Sequence, residues 1–349
     1  MTEKHYGGAS GFGFKRKNLG AKKGNNLKDA KINEMEGGVD GIEGVNNNKM
    51  NKEAIDKIVR AGKIAQEVKK YARDLIKPGM KLIDIAYKID DKIVELGGKP
   101  GFPVNLSINE VAAHFTPNFD CDKIAYGLLK VDIGVHVDGY IADTAFSLDL
   151  EEGKESELNK KLIEAAEAGV KASVETFGVG VEFWKVGKSV QDAIESKGFV
   201  SIRNLSGHSI DRWVVHAGWT VPNYNSGQTE KFEPGLYATE PFATNGLGKV
   251  KDGGNSGIYR LDREGNVRDN FAREVLGFIA DEYQTLPFCA RWIHKKFGTR
   301  GLLALRMMEQ AGILYQYPQL IEVGKGKVAQ AEHDVLLLED GKKIVTTRD

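Results

Sequence analysis

The chain has 349 residues, enough to bury a substantial core in one large domain or two modest ones. Its 49 lysine and arginine residues balance its 49 aspartate and glutamate residues, which excludes a global charge bias toward nucleic acid or membrane surfaces. Two cysteines exclude a disulfide framework, and no apolar run approaches the roughly 18 residues of a bilayer span or forms the apolar core of a signal sequence. We therefore expect a protein of the reducing cytoplasm, without membrane contact.

Residues 1–50 differ in composition from the rest of the chain. Ten of these fifty residues are glycine, asparagine and lysine are frequent, and neither a helical nor a strand period persists. We predict a disordered Gly/Asn/Lys-rich tail, because so few large apolar residues cannot offset the entropy of ordering. Residues 1–31 carry eight lysines and arginines against two acids, which would allow transient contact with ribosomal RNA phosphates. A solvated tail without a partner is the favoured alternative.

Two pairs of helices are predicted along the ordered part of the chain. Apolar residues recur at helical spacing from Asn51 until Pro78, and a second helix should end near Gly97. An alternating stretch at 131–146 follows, and then a second helix pair within residues 155–199, again succeeded by strand-like sequence. This repetition predicts two related halves that share one sheet.

The remaining sequence completes one ordered domain, which we place at residues 51–349. Residues 270–317 have the pattern of a helical insert, and residues 326–347 have the pattern of strands. The predicted fold class is α+β with a mainly antiparallel sheet.

The stretch "VDIGVHVDGYIADTAF" at 131–146 places two acids in an apolar hairpin. Asp138-Gly139 is a strong signal for a two-residue type I′ turn, and this turn makes Gly134 face Asp143. Asp132 and Asp143 then become diagonal neighbours on one face, roughly 7–8 Å apart at the backbone. Two carboxylates this close repel each other unless a proton or a cation lies between them. A solvated polar face and a metal or acid/base site are both compatible with the hairpin alone.

Further acids and a histidine favour the metal site. Glu240 in "YATEPFA" and Glu332 in "VAQAEHDVL" each interrupt apolar strand-like sequence, where an unpaired carboxylate would be costly. With Asp132, Asp143 and His208 in "NLSGHSID", they make four carboxylates and one imidazole. Such an oxygen-rich set suits Mn²⁺, Fe²⁺, Co²⁺ or Zn²⁺, and four negative ligands can hold two divalent ions.

Seven segments carry a family resemblance that runs in order from about residue 55 to the C-terminus. They resemble the type 2 methionine aminopeptidases, in their archaeal-like form, of the pita-bread metallopeptidase family. The segments are "GFPVNLSINEVAAHFTPN", "KVDIGVHVDGYIADTAF", "RNLSGHSI", "HAGWTVPN", "YATEPFAT", "YQTLPFCARW" and "VAQAEHDVLL". The resemblance implies the pita-bread fold, with pseudo-twofold halves around a dinuclear metal site, and it makes residues 270–317 the insert of type 2.

The resemblance also implies an activity, namely removal of the N-terminal methionine from nascent polypeptides, with a preference for small second residues. The implied metal ligands are Asp132, Asp143, His208, Glu240 and Glu332, holding two ions of Co, Mn, Fe or Zn.

Roles in catalysis and substrate binding are implied in the same way. Glu240 would also be the general base, and His114 would hydrogen-bond the scissile amide or the developing oxyanion. His216 would contact the substrate carbonyl, while Phe102 and Val215 would line the pocket for the methionine side chain. We expect the enzyme to be a monomer.

Two other functions remain open at this level. A prolidase- or aminopeptidase-P-like peptidase shares the fold and the ligand set, and a non-catalytic relative could bind RNA or ribosomes on the same fold. The signatures around His114 and His208 favour methionine removal, and no implied ligand is missing. One departure from the family concerns Asp334, which stands where threonine is usual and adds an acid near Glu332. We expect it to alter the hydrogen bonding around the metal ligands.

Overall fold

The structure is a computed structural model and describes residues 6–7 and 50–348. The predicted disordered tail, residues 1–50, lies outside the described residues except for a two-residue strand and Met50. Within the described ranges the helices are α1 Lys52–Leu75, α2 Leu82–Glu95, α3 Gly153–Thr176, α4 Phe183–Ser196, α5 Asn270–Tyr283 and α6 Ala290–Gln310. The strands are β1 Tyr6–Gly7, β2 Lys99–Ile108, β3 Val111–Ala113, β4 Gly127–Val137, β5 Tyr140–Leu150, β6 Val200–Ser201, β7 Leu205–Ile210, β8 Thr220–Pro222, β9 Gly235–Thr239, β10 Phe242–Thr244, β11 Val250–Leu261, β12 Phe288–Cys289, β13 Leu314–Glu322, β14 Val328–Gln330, β15 His333–Leu337 and β16 Lys343–Val345.

The two predicted helix pairs are present and match each other in length. Helices α1 and α2 have 24 and 14 residues, and helices α3 and α4 have the same two lengths. Helix α1 begins where the pattern predicted, because the side chain of Asn51 caps it by accepting the N–H of Ala54 at 2.8 Å. The equal lengths support the prediction of two related halves.

The strands of the described residues form four sheets instead of the single shared sheet that the pattern predicted. Strands β2, β4 and β5 make one sheet of the first half. The largest sheet has the strand order β1-β7-β9-β15-β16, and β8 pairs with β7 beside this path. The other two sheets have the strand orders β14-β10-β6 and β12-β11-β13-β3. All of these pairings are antiparallel except that of β1 with β7, so the predicted class, α+β with mainly antiparallel sheets, is correct.

The two halves meet along a contact that we call the seam, formed by residues 143–147 of β5 and residues 330–334. Strand β5 lies at the edge of its sheet, and hydrogen bonds that involve side chains continue the pairing across the seam. The sheet β12-β11-β13-β3 also joins the halves, because β3 of the first half pairs with β13 of the second half.

The segment predicted as a helical insert, residues 270–317, contains helices α5 and α6 but is not helical throughout. The two-residue strand β12 separates the helices and pairs with β11, and residues 314–317 begin strand β13. Helix α6 is kinked at Gly298, whose φ is +62°. The described part of the chain includes no helix that is both long and apolar enough to cross a membrane.

The main core lies between helices α1 and α2 and the sheet β2-β4-β5. Apolar side chains of both helices pack against one face of this sheet, and they leave the opposite face, which carries the acids, toward the seam. This core includes Ala65, Val68, Ile85, Ile89, Val131, Ile133, Val135 and Phe146.

Candidate metal centre and active site

The hairpin of β4 and β5 has the turn and the register that the sequence predicts. Asp138 and Gly139 have φ values of +51° and +82°, as a type I′ turn requires. Gly134 faces Asp143 directly, and Asp132 lies two positions before Gly134 in β4. The two acids therefore share the face of the hairpin that is turned away from the helices.

The second half contributes three side chains, one from within a strand and two from positions that adjoin strand ends. His208 lies in β7, Glu240 directly follows β9, and Glu332 directly precedes β15. One ligand atom each from Asp143, His208 and Glu332 lie within 4.8 Å of one another. The Nε2 atom of His208 is 3.6 Å from Oδ2 of Asp143 and 3.6 Å from Oε1 of Glu240. Acids from the two halves thus converge around one imidazole.

Removal from water changes the proton affinity of this cluster. It raises the pKa of Asp132 to about 7, and it raises the pKa values of Asp143, Glu240 and Glu332 well above their usual range. For the last three, repulsion from neighbouring carboxylates acts in the same direction. Burial lowers the pKa of His208 to about 4, so its imidazole is neutral near pH 7. The cluster is a set of crowded acids beside a neutral nitrogen donor, and a cation would relieve their repulsion.

The donor atoms fit a divalent metal ion. Within residues 50–348, Oδ1 of Asp132 and Oδ1 of Asp143 are buried and accept no hydrogen bond. Nδ1 of His208 lies 3.3 Å from the carbonyl oxygen of Ser209, a contact in which nitrogen must be the donor. The lone pair of Nε2 then faces the carboxylates, as a metal-binding histidine requires.

Two further histidines, His114 and His216, border the same pocket and are partly exposed there. The ring of His216 packs against that of His208 with 4.3 Å between centroids, and the ring of His114 meets Tyr317 edge-on at 5.5 Å. Desolvation lowers the pKa of His114 to about 4 and that of His216 well below its usual value. His114 also has a φ of +63°, which is rare outside glycine and is often found at functional sites.

All nine site residues predicted from the sequence line one pocket. They are Phe102, His114, Asp132, Asp143, His208, Val215, His216, Glu240 and Glu332. The pocket also has lining residues that the sequence did not suggest, among them Asn105, Pro287 and Tyr317. Asn105 pairs with Asp132 across strands β2 and β4, and its Oδ1 is buried without a hydrogen-bond partner among the described residues. The pairing of β2 with β4 could have revealed it, but irregularities in that pairing hide the register.

The chain is similar in sequence to known metallopeptidases. The profile of metallopeptidase family M24 matches residues 56–292. The methionine aminopeptidase of Pyrococcus abyssi is 44% identical over 298 residues, an alignment that covers 84% of this chain and 99% of the relative. The methionine aminopeptidase of Thermococcus kodakarensis is 46% identical over 296 residues and covers 83% and 98%.

Solved structures show similarity in fold. A thermophilic Arx1 superposes with a TM-score of 0.72 at 14% identity, over 85% of this chain and 91% of that one. The methionine aminopeptidase of Thermotoga maritima gives a TM-score of 0.62 at 20% identity, over 86% and 99%. The prolidase of Pyrococcus furiosus gives 0.53 at 15% identity, over 86% and 65%. At such identities the likeness concerns the fold alone.

Proposed function

The chain belongs to metallopeptidase family M24, and we propose that it is a methionine aminopeptidase, which hydrolyses the peptide bond after an N-terminal methionine. The observation that carries this proposal is the identity of 44–46% with methionine aminopeptidases that this chain covers almost completely. The convergence of acids and histidines in one pocket supports it, because a non-catalytic relative would have no reason to keep them.

The proposed metal ligands are Asp132, Asp143, His208, Glu240 and Glu332. Two divalent ions of Co, Mn, Fe or Zn held by them would supply a water of lowered pKa and would polarise the scissile carbonyl. The number of the ions rests on the four carboxylates, and their identity on the mixed oxygen and nitrogen donors.

Glu240 is the proposed general base. Its carboxylate lines the pocket, and its Oε1 lies 3.6 Å from Nε2 of His208. From this position it could accept a proton from the attacking water, and as the carboxylic acid it could pass that proton to the leaving amine.

His114 is the proposed partner of the scissile amide. Its Nδ1 lies 3.3 Å from the carbonyl oxygen of Pro318, so Nδ1 donates, and Nε2 is left with a lone pair. That lone pair can accept a hydrogen bond from the N–H of the scissile amide. His216 approaches from the side of His208 and is the proposed contact to the substrate carbonyl. Both imidazoles are neutral near pH 7 because their pKa values are lowered.

Phe102 and Val215 are the proposed walls of the methionine subsite, since both are buried apolar residues that line the pocket. The second residue of the substrate would lie near His216, where a small side chain fits best. The proposed substrates are nascent polypeptides in the cytoplasm, and two free cysteines support a reducing compartment. Transient ribosome contact through the basic tail and a monomeric state complete the proposal.

Release of methionine from Met-Ala-Ser, measured with each divalent ion in turn, tests the function. We expect turnover with at least one of Co²⁺, Mn²⁺, Fe²⁺ and Zn²⁺, and much slower release of alanine from Ala-Ala-Ser. A dipeptide that ends in proline, such as Leu-Pro, is the second substrate. Hydrolysis of Leu-Pro without release of methionine would replace the proposal with a prolidase, and no hydrolysis of either substrate with any ion would contradict the enzymatic function.

A further inference from the structure

The seam is held by a regular row of hydrogen bonds. The N–H of Glu332 donates to the carbonyl oxygen of Ala145 at 3.0 Å, and the hydroxyl of Thr144 donates to the carbonyl oxygen of Glu332 at 3.0 Å. Ser147 donates to the carbonyl oxygen of Gln330 at 2.8 Å and accepts the N–H of Gln330 at 2.9 Å. The seam thereby brings the ligand-bearing end of β5 beside the ligand that precedes β15.

Asp334 supplies the last hydrogen bond of this row. Because the turn makes Val137 and Tyr140 a hydrogen-bonded pair, Asp143 occupies a pair without ladder bonds, and its N–H points away from β4. The Oδ2 atom of Asp334 accepts this N–H at 2.7 Å. A side chain from the second half therefore takes the place of the main-chain acceptor that an edge strand lacks.

Asp334 is itself fixed in position. Asp334 is fully buried. Its N–H donates to the hydroxyl of Thr347 at 2.9 Å, and its carbonyl oxygen accepts the N–H of Thr346 at 3.0 Å. Strand pairing places Asp334 opposite Ala238, which in turn lies opposite His208. Residues directly opposite each other share a face, so the side chain of Asp334 is on the same sheet face as that of His208.

We propose that Asp334 is a positioning residue of the metal centre. By accepting the N–H of Asp143, it holds the ligand of the first half in register with Glu332 of the second half. The inference rests on the proposed function, in which Asp143 and Glu332 bind the metal ions. It assigns to Asp334 an indirect role, through the backbone of a ligand, and not a contact with substrate.

Two substitutions separate the hydrogen bond from the charge. Asp334→Ala removes the acceptor, whereas Asp334→Asn keeps a carbonyl oxygen at the same place without the charge. In metal-free protein we expect the amide hydrogen of Asp143 to exchange at least about tenfold faster in the alanine variant than in the wild type. Titration with Co²⁺ should show an affinity about tenfold or more weaker, together with a changed visible spectrum of the bound ion. The asparagine variant should stay close to the wild type in all three measurements.

Val335→Ala is the matched control. Val335 is the next residue of β15, is equally buried and packs on the opposite face with Val174 and Phe177, so its truncation lowers stability without touching the seam. It should leave exchange at Asp143 and the Co²⁺ affinity unchanged. Unchanged exchange at Asp143 or unchanged Co²⁺ affinity in Asp334→Ala would overturn the inference, and so would an asparagine variant as impaired as the alanine variant. A wild-type protein that binds no Co²⁺ would contradict the proposed function instead, while exchange at Asp143 would still decide the role of Asp334 in the seam.

Discussion

Asp143 occupies the most constrained position of the candidate site. Its carboxylate lies 3.6 Å from Nε2 of His208, its N–H is held by Asp334, and it sits in β5 opposite Gly134. Because its carboxylate is buried among other acids, the metal-free protein favours its protonated form. The same residue is therefore central to metal binding and to the charge balance among the buried acids.

Replacing Asp143 by asparagine tests its role as a ligand. The change is isosteric, so we expect an unaltered circular dichroism spectrum together with loss of a metal equivalent and of most turnover. Metal content by elemental analysis and methionine release from Met-Ala-Ser measure the two effects. Asp138→Asn, in the turn of the same hairpin, is the control and should keep both. Full metal content and full activity in Asp143→Asn would remove this residue from the site.

His114→Ala should behave differently, because His114 is proposed to contact the substrate and not the metal. We expect kcat to fall by roughly 10²–10⁴, the range for a lost hydrogen-bonding or proton-transfer group, with metal content unchanged. His294, which stacks on Phe119 outside the pocket, provides the control substitution His294→Ala. Loss of metal from His114→Ala would show that this histidine is a ligand.

The sequence predicts site residues well where local chemistry determines their position. The dipeptide Asp138-Gly139 dictates a turn, and the turn dictates the register that brings Asp132 and Asp143 to one face. Asn105 and Tyr317 were not predicted, because they reach the pocket through the packing of other strands. The sequence indicated that Asp334 alters the hydrogen bonding around the ligands, but it could not identify Asp143 as the partner, because this bond joins residues of the two halves.

Among the elements, the loop that carries Val215 and His216 is fixed by hydrogen bonds to residues outside the site. Trp213 in this loop donates its N–H to the carbonyl oxygen of Gly139 at 2.8 Å, and its own carbonyl accepts the hydroxyl of Thr285. The loop is thereby fastened both to the hairpin turn and to the segment that follows α5. This attachment gives the insert a role in placing His216.

Gly139→Ala tests the attachment. Gly139 has a φ of +82°, and a Cβ atom there would overlap the indole ring of Trp213. Gly198→Ala is the matched control, because Gly198 has the same φ with open space around it. We expect the control to cost about 1–2 kcal/mol of unfolding free energy from the left-handed backbone alone. Gly139→Ala should cost roughly 1–3 kcal/mol more from the overlap and should also raise KM. Equal losses in urea unfolding would show that the loop adapts freely.

Prediction at the level of elements succeeded for amphipathic helices and failed for irregular strands. The helix pairs follow from a sustained apolar period and from the stop signals at Pro78 and Gly97. Strand β11 gives no such signal, because Gly253, Gly254 and Gly257 interrupt it and its pairing with β13 contains two irregularities. Its position depends on the partner strand and on the insert.

At the scale of the whole molecule, the buried acids link metal binding to stability and to pH. In metal-free protein their raised pKa values mean that the folded state holds protons which the unfolded state releases, so this contribution to stability falls as pH rises from about 4 through 7. A bound divalent ion requires the deprotonated acids, so protons compete with it. His208 competes little, because its pKa is about 4.

We therefore expect divalent ions to raise Tm more at pH 7.5 than at pH 5.5. Thermal unfolding with and without a fixed concentration of Mn²⁺ at the two pH values measures the increments. Titrating groups outside the site, such as the buried Lys130, contribute equally with and without metal and cancel in each increment. The increment in Asp143→Asn should be smaller and flatter with pH. An increment in Tm that is larger at pH 5.5 would mean that the acids with raised pKa values do not bind the ions.

The seam also sets the order in which this molecule can become active during its synthesis. A ribosome completes the hairpin of β4 and β5 long before it reaches Glu332 and Asp334. The edge of β5 therefore stays without its partner segment while the elements from α3 to β13 are synthesised. Exposed strand edges can pair with other chains. In the nascent chain the unpaired edge of β5 carries the polar side chains of Thr144 and Ser147. Because Glu332 lies between β14 and β15, a nascent copy of this chain carries no complete centre until translation has passed those strands.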